Sequence, residues 1–460
     1  MQTADPQRFF ETEREHPLTG ESAAQEQRER RSAKSANKYG SPVLLKSKVL
    51  AVLADPMSAA HVFVAESAGS ARRVNVLDES DNDAKATAYR GPAAPVTSLA
   101  LGGPGGKTLF AGSWDKTVWS FDRDTHQPGI RYGLAGGAGG GGHTDFVKAV
   151  VCGRLGDEDV LISGGADKKI IVWDVVSGKR LHTLQDSGST TKGNRQSMLA
   201  LQDLAIDPVA TTRDEIWLVS ASSDPHIRRW RIRLDGWEQV TEDAQDDVNN
   251  KDVTTDRPKK TLLAHQTTVY KVVFEDHNYS GGGDDDDDNG EDVNLWTSSG
   301  DGTVKCLSRQ HGFQHRETVG SGSSTFHHGD HVRAVAVTDA WVITAGRDED
   351  LQYWDRTGAA DATDDRANVR YAAITGHFDE VTDLVVLSDG RRLCSVSLDG
   401  TVRTWPLVKA DVDALVKQQK EDRAAAAAGI VDDDADKIAE EGGLMTADEE
   451  AELAALMEDD

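Results

Sequence analysis

The chain has 460 residues, 78 acidic against 51 basic, a formal net charge of −27 at pH 7, and three cysteines. This acidity argues against direct nucleic-acid binding, which needs concentrated Lys and Arg, and the sparse thiols Cys152, Cys306 and Cys394 argue against a disulfide scaffold. No stretch approaches the roughly 18 apolar residues of a membrane span, and the polar N-terminus lacks a secretory apolar core, so a cytoplasmic or nuclear protein is expected.

In chain order, residues 1–39 are rich in Glu, Arg, Gln and Ser and are expected to be disordered or weakly helical. The chain turns apolar at Ser41–Leu45. A weak unit at about 47–90 follows, with strands at His61–Val64 and Arg73–Asp78. A stronger pattern then recurs, in which an Asp is followed at the sixth position by an aromatic or Leu: Asp115/Phe121, Asp167/Trp173, Asp224/Trp230, Asp301/Leu307, Asp348/Trp354 and Asp399/Trp405. Four residues ahead of each Asp stands Ala111, Ser163, Ser220, Thr297, Thr344 or Ser395. Each unit reads as an apolar strand, a tight turn holding the Asp, and an alternating second strand. Upstream, a His precedes an apolar residue by four positions in His143/Val147, His265/Val269, His328/Val332 and His377/Val381.

Three insertions interrupt the pattern: glycine-rich 133–142, polar 236–260, and 275–292 with its Asp284–Asp288 run. Residues 241–300 carry 15 acidic and 5 basic side chains, and 407–460 carry 17 and 5, so these two segments hold 22 of the 27 net negative charges. Past Leu407, Val408–Ala428 has helix-forming composition. Thr446–Glu449 fits a capping box leading into a short helix with Leu453, Leu456 and Met457 on one face.

A repeat of this kind decides the architecture. Gly142-His143 … Trp173-Asp174 resembles a full unit of the WD40 repeat family, and three other units keep its His, Asp and strand pattern. The resemblance implies an all-β, seven-bladed propeller of four-stranded blades over residues 40–407, counting the weak unit as a blade. Turn aspartates lie 52, 57, 77, 47 and 51 residues apart, wider than the roughly 40–45 of a blade, so loops absorb the insertions. The resemblance also implies that Ser41–Leu45 closes the ring as the last outer strand of blade 7, whose third strand ends at Pro406. Residues 408–460 then form an acidic, partly helical tail.

Recurring His, Ser/Thr and Asp imitate a hydrolase constellation. In the family they form a structural network in which His reaches the turn Asp and the strand Ser/Thr, which braces the Trp. The carry-over gives His143, Ser163, Asp167 and Trp173; His265, Thr297 and Asp301; His328, Thr344, Asp348 and Trp354; and His377, Ser395, Asp399 and Trp405. Pro92 and Ser197 replace His in blades 2 and 4, which are expected to be less rigid. His327, His328 and His331 beside Asp330 lack metal-site spacing, and the glycine run precedes a strand, so no metal, cofactor or catalytic residue is expected.

Function is expected from the face at the channel mouth. The family fold brings there the residue before each turn Asp and the residues flanking the apolar position four after the His. Trp114, Phe146, Lys148, Tyr270, His331, Arg333, Arg347, Glu380 and Thr382 fall on those positions. Their composition, with an exposed Trp114, resembles an interaction hot spot. A non-catalytic scaffold for protein or peptide partners is expected, with Lys148, Arg333 and Arg347 suited to an acidic or phosphorylated peptide. The alternative is an adaptor that holds basic clients on its acidic insert and tail.

Overall fold

The computed structural model describes residues 37–77, 87–134, 141–186, 198–240, 261–275, 293–309, 312–313, 325–356 and 370–427. Expectations for residues 1–36, the glycine run at 135–140, the acidic insertions at 241–260 and 276–292, and the capping box with Leu453, Leu456 and Met457 fall outside them. The chain divides into two compact units, the first ending at Val412 and the second beginning at Asp413.

The described residues of the first unit build seven sheets, one per blade. An outer strand, β1 (Val43–Leu44), precedes blade 1, which holds β2 (Val49–Ala54), β3 (His61–Glu66), β4 (Ser70–Asn75) and β5 (Thr87–Arg90). Blade 2 is β6 (Val96–Gly102), β7 (Thr108–Ser113), β8 (Val118–Asp122) and β9 (Pro128–Tyr132). Blade 3 is β10 (Val147–Leu155), β11 (Glu158–Gly165), β12 (Ile170–Asp174) and β13 (Arg180–Leu184). Blade 4 runs β14 (Leu201–Ile206), β15 (Ile216–Ser222) and β16 (His226–Ile232), and its outer edge is split between β17 (Trp237–Gln239) and β18 (Thr261–Leu263), both paired with β16. Blade 5 is β19 (Val269–Phe274), β20 (Leu295–Ser299), β21 (Thr303–Leu307) and β22 (Thr325–His327). Blade 6 is β23 (Val332–Val337), β24 (Trp341–Gly346), β25 (Leu351–Asp355) and β26 (Arg370–Ile374). Blade 7 is β27 (Val381–Val386), β28 (Arg392–Ser397) and β29 (Thr401–Pro406), completed by β1 with Val43 opposite Val402 and Leu44 opposite Thr401. The ring therefore closes with the strand expected at Ser41–Leu45, and the weak unit is a full blade. Closure leaves few free sheet edges.

The cores lie between neighbouring blades. Ala100, Phe110, Val118 and Tyr132 of blade 2 pack with Val147, Val150, Leu161 and Trp173 of blade 3, so each blade buries its apolar face only against the next. At the closure, Trp405 fills the space between two glycines. A Cβ at Gly376 would stand 2.3 Å from its ring, and one at Gly40 2.9 Å. Past the ring, α1 (Lys409–Ala427) forms where helix-forming composition predicts it.

Two backbone features recur. The turn Asp accepts the amide of the residue two further on, as Thr117 to Asp115 (3.0 Å), Thr303 to Asp301 (3.0 Å) and Thr401 to Asp399 (2.7 Å), an Asx turn. The residue after the Asp is left-handed: Gly302 (φ 79°) and Gly400 (φ 77°), but also Lys116 (72°), Lys168 (66°) and Glu349 (70°), a conformation L side chains disfavour. The second feature is a register shift in each inner strand, at Val49/Ala51, Val96/Ser98, Val147/Ala149, Leu201/Asp203, Val269/Lys271, Val332/Ala334 and Val381/Asp383. A bulge leaves one residue unpaired and re-aims its side chain. The bulged residues are Leu50, Thr97, Lys148, Gln202, Tyr270, Arg333 and Thr382.

Candidate functional site

Inside blade 3, His143 contacts Asp167 Oδ1 through Nδ1 (2.9 Å) and Ser163 Oγ through Nε2 (2.9 Å), and the Trp173 indole N–H donates to the same Oγ (2.9 Å). With His143 neutral, Nδ1–H donates to Asp167, Nε2 accepts the Ser163 proton, and Ser163 Oγ accepts from Trp173; every member is satisfied. Blade 7 repeats this with His377, Asp399 (2.9 Å), Ser395 (2.6 Å) and Trp405 (2.7 Å). In blade 6 the ring is reversed: His328 meets Thr344 through Nδ1 (2.8 Å) and Asp348 through Nε2 (2.8 Å), with Trp354 on Thr344 (3.0 Å). In blade 5, His265 links Asp301 (3.1 Å) and Thr297 (2.8 Å), and Leu307 needs no bracing. Ser163, Thr297, Thr344 and Ser395 are all 0% exposed, so these hydroxyls are closed off from solvent. Burial pushes Asp167, Asp301 and Asp399 up in pKa, but the hydrogen bonds from the His rings and within the turns outweigh it and hold all three below the ordinary carboxylate value.

Blades without the His use other partners. In blade 4, Arg228 is buried and donates through Nε to Asp186 (2.9 Å) and through NH1 to Asp224 and Ser222 (3.1 Å each), while Trp230 still rests on Ser220 (2.9 Å). In blade 2, Asp115 Oδ2 accepts the Trp119 indole (2.9 Å) and Arg131 (3.2 Å). Blade 1 has Ala68 where the Asp would stand, and buried Glu66 accepts from Ser70 (2.6 Å), Arg72 (2.6 Å) and Ser47 (3.1 Å). Blades 2 and 4, expected to be less rigid because Pro92, Ser197 and Ala111 replace the repeat His and Ser, both have partnered turn aspartates.

Within each blade a backbone bond clips the turn position to the start of the inner strand. The amides of Trp114, Ala166, Ser223, Gly300, Arg347 and Leu398 each donate to the carbonyl just ahead of the inner strand (Pro95, Phe146, Ala200, Thr268, His331, Glu380) at 2.8–3.1 Å. Turn and strand start thus move as one piece. On one side, Phe146 stacks on Trp114 (centroids 4.9 Å apart, 16° between planes), and Lys148 Nζ lies 5.1 Å from the Trp114 ring. On another, Arg333 covers Tyr270 at 4.5 Å and its Nε meets Glu380 Oε1 at 2.7 Å. His331 and Arg347 are exposed.

Three expectations change. Trp114 is half-buried, because Phe146 stacks over it; Phe146, 38% exposed, is the aromatic that meets solvent. The buried Trp114 indole nitrogen has no hydrogen-bond partner among the described residues. Thr382 spends its hydroxyl proton on the ring, within reach of Val49 O of blade 1 (2.9 Å) and Val396 O (3.2 Å), much as Thr97 reaches Val147 O (2.8 Å). Glu380 is already engaged by Arg333.

One residue further along the inner strands lies a charged set the mouth positions do not include. Lys271 of blade 5 reaches Asp383 of blade 7 (3.0 Å). Asp203 and Asp383 each accept a backbone amide from the following blade, Val272 (3.0 Å) and Val52 (3.1 Å). Burial disfavours the Lys271 charge, yet Asp383 and Asp203 overcome it and raise its pKa. Burial also raises Asp203. The signal was present in the sequence, since Asp203, Lys271 and Asp383 share one register position.

The described residues contain no group of three or more His, Cys, Asp or Glu arranged to hold a metal, and no helix long and apolar enough to cross a membrane. The WD domain, G-beta repeat family matches residues 85–122, 141–174 and 369–406, within blades 1–2, 3 and 6–7. The chain is 28% identical over 469 aligned residues to an uncharacterized WD repeat-containing protein of Schizosaccharomyces pombe, with the whole of each chain covered. It is 38% identical over 90 residues to the small ribosomal subunit protein RACK1y of Oryza sativa subsp. japonica and 33% over 88 residues to RACK1z of the same species. Those two alignments cover 17% of this chain and 27% and 26% of the rice proteins.

Proposed function

From a chain that belongs to the WD40-repeat family, we propose a non-catalytic platform that grips a partner polypeptide across its channel mouth. WD-repeat proteins generally act as protein-interaction scaffolds. The observation that carries the reading is the Phe146–Trp114 stack. A large aromatic lies open to solvent over a second whose buried N–H has no partner among the described residues, and an orphaned buried donor costs about 1–3 kcal/mol. Packing alone does not need either ring at a turn. A stacked pair flanked by Lys148 and by Arg333 on Tyr270 has the composition of a binding hot spot. The buried hydroxyls of the blade networks support a structural role for the His, Ser/Thr and Asp residues.

The test compares proteins captured by the intact chain with those captured by a folded Phe146→Ala/Trp114→Ala variant. Loss of a reproducible set from the variant is expected. An unchanged set would move recognition to the blade sides or the acidic segments. A second reading, an adaptor for basic clients, rests on the segments holding 22 of the 27 net negative charges. It requires capture that falls steeply with salt, whereas the aromatic stack gives a shallow dependence.

A further inference from the structure

We propose, resting on the platform reading, that the partner segment carries a phosphorylated side chain whose dianion replaces Glu380 on Arg333 and reaches Lys148. Lys148 and Arg333 are the bulged residues at the equivalent inner-strand position of blades 3 and 6, and each lies within electrostatic reach of the other. Each is backed by an aromatic face, Trp114 at 5.1 Å and Tyr270 at 4.5 Å. A cationic ligand would find those faces already covered by the protein's own cations, whereas an anion finds two donors already oriented.

The charge balance decides between anions. Arg333 has a carboxylate from Glu380 at 2.7 Å. Lys148 has no salt bridge among the described residues; burial first, and then the nearby Arg333, lower its pKa, and only Asp145 opposes them. Arg333 is thus matched by one paired carboxylate, whereas Lys148 has only the opposing charge of Asp145 near it and no ion pair among the described residues. A ligand carboxylate that displaced Glu380 would exchange like for like at Arg333. A phosphate, with a charge near −2 and three acceptor oxygens, replaces Glu380 and also neutralises Lys148. Glu380 is thus an internal stand-in for the ligand rather than a contact residue. Its release needs only a side-chain rotation, because its carbonyl is held by the Leu398 amide at 3.0 Å. The exposed ring of Phe146 supplies an apolar contact beside the anion.

Isothermal titration of the full chain with phenyl phosphate and with benzoate tests this. Phenyl phosphate should bind measurably and benzoate more weakly. Glu380→Gln should tighten phenyl phosphate by roughly two- to fivefold, the strength of a part-exposed ion pair. Lys148→Met should weaken it about tenfold, the loss of one charge-assisted hydrogen bond, and leave benzoate little changed. Thermal unfolding confirms that each variant folds, and Arg333→Gln, which should abolish the preference for phosphate, serves if Glu380→Gln does not. Equal binding of the two probes, no tightening in Glu380→Gln, or no binding of phenyl phosphate would overturn the proposal. If phenyl phosphate fails while the Phe146→Ala/Trp114→Ala variant still loses its captured proteins, the anion site falls and the platform stands. If phenyl phosphate behaves as expected and capture is unchanged, the platform falls instead.

Discussion

Replacing Ser395 by Ala would show how much a closed buried network contributes to one blade. Ser395 Oγ is 2.7 Å from the Trp405 indole nitrogen and 2.6 Å from His377 Nε2, and all three side chains are buried. Removing the hydroxyl orphans a donor and an acceptor, each costing about 1–3 kcal/mol, so the variant should lose about 2–5 kcal/mol. The protein itself contains the compensated alternative. Blade 2 carries Ala111 where blade 7 carries Ser395, with Phe121 in place of Trp405, and both are fully buried with no polar atom left over. Ser395→Ala/Trp405→Phe should therefore cost about 1–3 kcal/mol less than the sum of the two single variants. Urea unfolding of the four proteins, followed by circular dichroism and tryptophan fluorescence, measures the cycle. A single-variant cost under about 0.5 kcal/mol, or strict additivity, would refute the argument that satisfaction of the network matters.

Four further outcomes are expected. Asp399 has a folded pKa below its unfolded one, so its stabilisation is complete above the ordinary carboxylate value near pH 4 and is lost as pH falls through the folded value; Asp399→Asn should flatten the acid limb of a urea-midpoint series, and an unchanged slope counts against it. Arg228→Met leaves Asp186 and Asp224 without their buried counter-charge and should cost about 3–5 kcal/mol; a thermal midpoint within error of the parent would contradict this. Lys271→Met removes the cation facing Asp383 and Asp203 and should cost about 1–3 kcal/mol at pH 7. Asp203, whose carboxyl burial raises in the folded chain, holds its proton more tightly when folded, so that deficit should shrink toward pH 5, and a constant deficit would argue against it. Gly346→Ala places a Cβ 1.9 Å from the His331 carbonyl oxygen, which should cost about 1–3 kcal/mol and shift the strand start that carries Arg333; full stability with intact partner capture would contradict the clash.

What could be read from the sequence was whatever the repeat carries in register. Spacing of Asp167 and Trp173, or Asp399 and Trp405, marks two strands and the turn between them, and six such units with the weak one at about 47–90 close on themselves. The replacements for missing repeat residues were hidden for a physical reason. Arg228 and Asp186 are 42 positions apart, and only the folded blade brings them together. Glu66 and Trp119 occupy strand positions that the repeat leaves unspecified. The mouth positions followed from register, but not their contacts: which aromatic covers which depends on side chains of adjacent blades, so Trp114 reads as exposed until Phe146 is placed over it. Likewise, nothing local to Thr382 reveals that its hydroxyl reaches the neighbouring blade.

The closing strand also imposes an order on synthesis. Val43–Leu44 is synthesised about 360 residues ahead of its partner Thr401–Pro406. At about 5–20 residues per second, translation separates them by roughly 20–70 s. Throughout that interval blade 1 has no neighbour on its blade 7 side, and the apolar surface of Val49, Val62 and Val64, later covered with Val396 and Val402, stays open to water. A nascent chain of this kind should depend on holding chaperones until its final blade emerges, and truncation ahead of Val381 would leave that early surface permanently unpaired.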